Sequence, residues 1–304
     1  MSSPTTASSV IHDIGYRRYT GPRLGRGYAT RSLYVHGLRT AFGLGRSAAA
    51  KFFPWGIFGL LVAVAAILVA VQSQVSVLQQ RVFEYWQFPT QINVLVLLYC
   101  AVAAPELVSR DLRGGVLPLY FSRPLTRLDY PLAKWAALVS AVFLLLLGPE
   151  LVLFLGTAFS NQSMSAVWDE FGLFGEGLVV SALTAVLFAS LALLVSSLAG
   201  NRAVAAALTV GLFILTTPVL GVLQGIAHAG YGPDGGMTAD GERLSQLSFL
   251  VSPFTIVQGI GAWLFGGQGQ SFIGPYGPLY LVVTLAVVAA SLLLLLLRYR
   301  KVAR

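Results

Sequence analysis

The stretch LVVSALTAVLFASLALLVSSLAGNRAVAAALTVGLFILTTPVLGVL, residues 178–223, consists of two apolar runs, Leu178–Ala199 and Ala203–Leu223, separated only by Gly200-Asn201-Arg202. Each run has about the 20 residues an α-helix needs to cross the hydrocarbon core of a bilayer. A link of three residues between them leaves room only for an antiparallel hairpin. Small residues recur at four-residue steps: Gly177, Ser181, Ala185 and Ala189 on the first run, Ala203, Ala207 and Gly211 on the second. Residues four apart share a helix face, and in lipid small residues let neighbouring backbones approach closely. The stretch reads as a pair of packed transmembrane helices.

Working outward, four more segments pass the same length and composition test: Pro54–Gln72, Gln91–Ser109, Leu132–Thr157 and Leu279–Leu297. The expected fold is therefore an all-α integral membrane protein with six transmembrane helices. Composition agrees. The 304 residues are 56% hydrophobic and 11% charged, where a soluble domain carries about 25% charged residues. The first span begins after more than fifty residues of basic, polar chain, so it is not a cleaved secretory signal. Cys100 is the sole cysteine, which excludes an intrachain disulfide and a cysteine-based metal cage.

Lysine and arginine set the orientation. With the N-terminus cytoplasmic, residues 1–53, 110–131, 200–202 and 298–304 lie inside. With Lys134, these hold 18 of the 20 basic residues, leaving only Arg81 and Arg243 outside. The positive-inside rule then puts both termini in the cytoplasm. The formal charge of +8 is accounted for by this bias and by contact with anionic lipid headgroups, so nucleic acid is not a partner. Leu247–Phe265 is nearly long enough to cross, but Ser248, Ser252, Pro253, Gln258, Gly259 and Gly261 interrupt it. A seventh crossing would also put Arg298, Arg300, Lys301 and Arg304 outside. It is expected to be re-entrant or surface-lying, one of the short external helices within the 224–278 loop between spans five and six. Gly230–Gly241 (GYGPDGGMTADG) reads as a flexible external loop.

Residues 106–134 read ELVSRDLRGGVLPLYFSRPLTRLDYPLAK. Arg110, Asp111 and Arg113 stand at the exit of span two, and Gly114-Gly115 break the helix. Val116, Leu117, Leu119, Tyr120 and Phe121 form an apolar cluster followed by Ser122-Arg123-Pro124. Thr126 and Asp129 fit the [ST]-x-x-[DE] helix-start pattern ahead of span three. An apolar knob framed by Arg and Gly suits a groove on a partner, or else a helix lying on the membrane. The Pro105–Trp135 segment resembles the loop between the second and third helices of ABC type-2 permeases, on Ser109-Arg110-Asp111, Gly114-Gly115 and the run Phe121-Ser122-Arg123-Pro124-Leu125-Thr126-Arg127-Leu128-Asp129-Tyr130. In that family the loop builds the coupling helix, which inserts into a separate ATPase subunit. The resemblance thus assigns Arg110, Asp111, Gly114, Gly115, Leu119, Tyr120, Arg123, Pro124, Arg127 and Asp129 to ATPase coupling. Gly115 departs from the many relatives that carry a charge there.

Upstream, Gly21–Arg26 and Arg31–Arg46 form a basic arm in which Tyr34, Leu38, Ala41, Phe42 and Gly45 share one side of a helical wheel, with Ser32, Arg39 and Arg46 beside them. It resembles the family's amphipathic connecting helix, which implies an ATPase-facing role for Tyr34, Leu38, Arg39, Phe42 and Arg46. Lipid anchoring is the alternative. The whole arm is similar to that of actinobacterial members. The chain accordingly divides into an arm, 1–53, and a six-span permease domain, 54–304, whose 110–131 loop is cytoplasmic.

No lysine follows a glycine, so the chain has no GxxxxGK[ST] phosphate loop. It is not expected to be an enzyme or to bind a metal or cofactor. ATP and Mg would sit on the partner ATPase, present in two copies. The resemblance further implies a second permease copy or close relative, membrane lipid around both, and a multi-pass place in the bacterial plasma membrane. The expected function is that of the permease subunit of an ATP-driven exporter, with an amphipathic substrate: a drug, a lipid or a lipid-linked molecule. The alternative is an ion-coupled secondary transporter, which usually shows midplane carboxylates and broken helices. Glu150, beside Pro149, is the one acid deep in a span. It faces either a translocation path or a neighbouring helix. Glu106 is expected to pair locally with Arg110, four residues on.

Overall fold

In the computed structural model the described residues are 21, 24–75, 83–109, 111, 114–115, 120, 125–160, 163–229, 237–266 and 272–302. They form helices α1 (Arg26–Ala41), α2 (Ala48–Val75), α3 (Phe88–Gln91), α4 (Asn93–Leu107), α5 (Asp129–Ser160), α6 (Met164–Leu198), α7 (Arg202–Ile214), α8 (Thr216–Ala229), α9 (Ala239–Ser248), α10 (Pro253–Phe265) and α11 (Gly277–Val302), with short 3-10 turns before α3, α10 and α11. Among the described residues five segments are long and apolar enough to cross a membrane: α2, α5, α6, α7 with α8, and α11. The number rises to seven if two bent pairs are each counted as a span. The first pair, Tyr85–Gln91 with Asn93–Leu107, bends by 54° and takes the place of the second expected span. The second pair joins Ala239–Val251 to Pro253–Phe265 through 117°.

Both breaks have local causes. Pro253 begins α10, and Ser252 before it is extended at ψ 127°, as the residue before a proline tends to be. The expected Leu247–Phe265 helix is thus split. Its apolar part, α10, has 13 residues and a length of about 20 Å at 1.5 Å per residue. α9 begins at Ala239, inside the expected Gly230–Gly241 loop, because the Thr238 hydroxyl accepts a hydrogen bond from Gly241 N at 3.2 Å. Residues 230–236 of that loop lie outside the described residues.

α6 is the centre of the bundle. It packs on α4, α5, α7, α10 and α11, while α5 packs in turn on α1 and α2. The small-residue stripe expected on α6 is a packing face: Gly177, Ser181, Ala185 and Ala189 are all buried. The β-carbon a side chain would need at Gly177 comes within 3.0 Å of Tyr85. On α7 the expectation fails. Ala205, Thr209 and Phe213 face the bundle, while Ala203 and Ala207 are exposed. The Phe213 ring sits among Phe188 and Phe254, with centroids 4.8 and 5.6 Å away, and this aromatic cluster rather than the small residues sets the rotation of α7. α5 meets α2 through close approaches that spacing alone did not suggest. A β-carbon at Gly148 would fall 2.4 Å from the Phe58 ring, and one at Gly156 would fall 2.5 Å from Val69.

The amphipathic helix expected upstream is α1, but it stops at Ala41. Gly43 and Gly45 have φ of +67° and +79°, a left-handed conformation that glycine adopts without cost. A β-carbon on Gly43 would also strike the Ala50 carbonyl. Arg46 therefore lies in the corner between α1 and α2, not on the helix.

Candidate functional site

The segment 110–131 leaves the bundle after α4 and returns at α5, and the described residues show how each root is fastened. At the first root the Ser109 hydroxyl donates to the Ser196 carbonyl on α6 at 2.8 Å. Asp111 then accepts from Lys134 Nζ at 2.9 Å and from the Tyr130 hydroxyl at 2.7 Å, both on α5. Lys134 is almost wholly buried, with its ammonium 5.4 Å from the Tyr130 ring centre. Tyr130 itself is flanked by Tyr120 and by Tyr299 of α11, with centroids 5.5 and 5.1 Å away. A buried ammonium is tolerated only when paired, and here the carboxylate and the ring supply the pairing.

At the second root Asp129 takes a two-pronged contact from Arg26 of α1, Nε at 2.8 Å and Nη2 at 2.7 Å. Asp129 also accepts from Thr126 N at 2.8 Å, while Asp129 N donates to the Thr126 hydroxyl at 3.4 Å. These reciprocal bonds are the capping box expected from the sequence. α1 is laid along α5 by further contacts. Leu33, Gly37 and Ala41 are buried, a β-carbon at Gly37 would come 2.8 Å from Ala137, and the Tyr34 hydroxyl donates to Ser140 at 3.0 Å.

Glu106, in the last turn of α4 and 8% exposed, joins three segments. One carboxylate oxygen accepts from Arg46 Nη1 at 2.6 Å, and the other is in contact with Arg202 Nη2 at the start of α7. Arg110, the expected partner, lies outside the described residues; among those described, two distant arginines engage both oxygens. Beside these pairs a cleft of about 1140 Å³ runs between the exposed face of α1 and the ends of α4 and α5, with Arg31, His36, Arg39, Glu106, Asp111 and Lys134 among its walls.

The residues assigned from the resemblance divide accordingly. Arg110, Leu119, Arg123 and Pro124 lie outside the described residues. Asp111, Tyr120 and Asp129 come together with α5 and α1 as above. Gly114 and Gly115 are exposed, Gly115 with a φ of +61°, a conformation in which a residue with a side chain is strained. Arg127 is exposed. On α1, Tyr34 and Leu38 are half-buried against the core and Arg39 is exposed. Phe42 stacks at 6.2 Å from Trp55 and 6.1 Å from Tyr99. The side read from the wheel does pack: Ala41 is buried and Tyr34, Leu38 and Phe42 lie against the core, and Leu33 and Gly37 widen the packed face by one position. Sequence reasoning did not single out Lys134, Arg26 or Arg202. Tyr130 and Lys134, four apart on one helix face, were the available signal for the first.

Away from this end, Glu150 on α5 is fully buried, and the Ser181 hydroxyl of α6 donates to its Oε1 at 2.6 Å. Its Oε2 has no hydrogen-bond partner among the described residues. Ser181 belongs to the small-residue stripe, so the acid meets the face on which α5 and α6 pack.

A chain of this kind, with five or more long apolar segments packed in one bundle and four of its ion pairs gathered around the end of α4 and the start of α5, is a multi-pass membrane protein. Over residues 55–303 it matches the family described as ABC-2 family transporter protein, and it belongs to that family. No curated protein matches it in sequence.

Proposed function

We propose that the chain is the permease subunit of an ATP-driven exporter in the bacterial plasma membrane, moving an amphipathic substrate along the interface between two permease copies. Six spans cross the bilayer: α2, the bent pair ending in α4, α5, α6, α7 with α8, and α11. The pair α9–α10 turns back on the outer side, and both termini are cytoplasmic. Segment 110–131 then faces a separate ATPase, one copy for each permease.

The observation that carries this reading is the fastening of that segment at both roots. Asp111 is fixed to Lys134 and Tyr130, and Asp129 to Arg26. A loop held this way cannot shift alone. A push on its apolar knob moves α5 and α1 with it, which is what a coupling element requires. Coupling also requires the knob to contact the ATPase differently in the two nucleotide states, since a ligand shifts an equilibrium only by its differential affinity.

Reconstitution tests it. Purified permease in proteoliposomes with its cognate ATPase should form a stable complex that hydrolyses MgATP and moves an amphipathic probe outward. A complex that forms no contact with any ATPase and moves the probe only on an ion gradient would replace this reading with the ion-coupled transporter.

A further inference from the structure

We infer that Glu106 is a releasable pin: it holds the starts of α2 and α7 together, and it lets α7 go when the segment beyond α4 moves. The inference rests on the proposed function for its trigger, though not for its geometry. Glu106 stands five residues before Asp111 in the last turn of α4, so any rotation of the loop root turns its carboxylate. Arg46 precedes α2 by two residues and Arg202 is the first residue of α7. One side chain therefore reports on two helices.

The two arms are unequal. Arg46 is 27% exposed and Arg202 is 52% exposed. Losing its only partner would leave a nearly buried carboxylate bare, which is strongly unfavourable. With two arginines, Arg202 can move into water while Arg46 still neutralises the acid. The arrangement thus makes α2 the fixed arm and α7 the free one. Room for the exchange is present: a cavity of about 200 Å³ beside the pin is lined by Arg46, Phe53, Pro54, Val102, Glu106 and Arg202. The spans that begin at these arginines are also the least enclosed. In their apolar stretches 22% of α2 and 17% of Arg202–Ala229 are buried, against 56% of α6. A change at the pin is therefore taken up at the contacts of α7 with α4 and α6 and of α8 with α9, since little else of these helices is buried within the chain.

The test uses the full chain in lipid nanodiscs, with spin labels on cysteines placed at Ala48 and Ala203, both exposed. The native Cys100 is buried. The inter-label distance is measured without ATPase, then in the ATPase complex with and without MgATP. Arg202→Gln and Glu106→Gln should shift the distribution to a longer distance even in the permease alone. Arg202→Lys should retain the short one. In the native complex MgATP should populate the longer distance. Because Arg202 is half-exposed, its substitution tests the pin even if Glu106→Gln does not fold. Native distances in Arg202→Gln would overturn the inference, and so would an unchanged distribution in a native complex that hydrolyses MgATP. A permease that shows the expected shifts alone but binds no ATPase would instead leave the pin standing and overturn the proposed function.

Discussion

A buried acid with one hydrogen bond states its role through its partner. Glu150 meets Ser181 on the face where α5 and α6 pack, so its expected contribution is to assembly of the bundle. Glu150→Gln keeps the shape and the hydrogen bond and should leave folding and transport close to native. Glu150→Leu strands the Ser181 hydroxyl and should lower stability by about 1–2 kcal/mol, the scale of an interhelical hydrogen bond in membranes. Thermal unfolding in detergent, with transport assayed in parallel, separates the roles. Intact folding with lost transport in Glu150→Gln would assign Glu150 to the translocation path instead. The existence of this acid was legible in the sequence, and its partner was not. Ser181 read only as a small residue in a stripe, since a hydroxyl that packs and a hydroxyl that donates look alike in one dimension. Glu106 shows the same limit. The i,i+4 rule offers only Arg110, which lies outside the described residues, and has no means of finding Arg46 and Arg202, 60 and 96 residues away.

Elements were read more surely than their ends. Hydropathy located α2, α5, α6 and α11 because an apolar run of that length has few alternatives. The Thr126–Asp129 capping box fixed the start of α5, being chemistry local to four residues. α1 was legible as an amphipathic helix but was carried five residues too far, to Arg46 instead of Ala41, because two glycines with positive φ stop it and composition alone cannot assign φ. α4 was legible as apolar, yet its entry is bent by 54°. Segment 110–131 is the element whose proposed coupling role is most directly testable. Arg123→Glu and Leu119→Asp each place a new charge in a contact expected to be desolvated, at a cost of about 2–5 kcal/mol if that contact is buried. Each should reduce co-purification with the ATPase and abolish stimulation of ATP hydrolysis, while leaving the thermal stability of the permease unchanged. Normal stimulation in both variants would remove 110–131 from the docking surface.

For the whole molecule, the orientation rests on charge rather than on packing. If the segments holding 18 of the 20 basic residues are cytoplasmic, as proposed, a cysteine introduced at Asp234 should react with an impermeant maleimide added to intact cells. One introduced at Arg304 should react only after permeabilisation. The reverse pattern would invert the topology. Buried Cys100 leaves little background. The uneven enclosure of the spans has a different consequence. Bare apolar surface carries no penalty against acyl chains, so two copies gain nothing from hiding α2 and α7–α8 from water. The attraction between the two copies proposed above would have to come from shape, and Ala203 and Ala207, turned away from the bundle, would let another backbone come close. Such an equilibrium is governed by protein-to-lipid ratio, not by molarity. Diluting the protein with more lipid, at constant aqueous volume, should therefore separate the copies, and lipids that pack poorly around small residues should bring them back together.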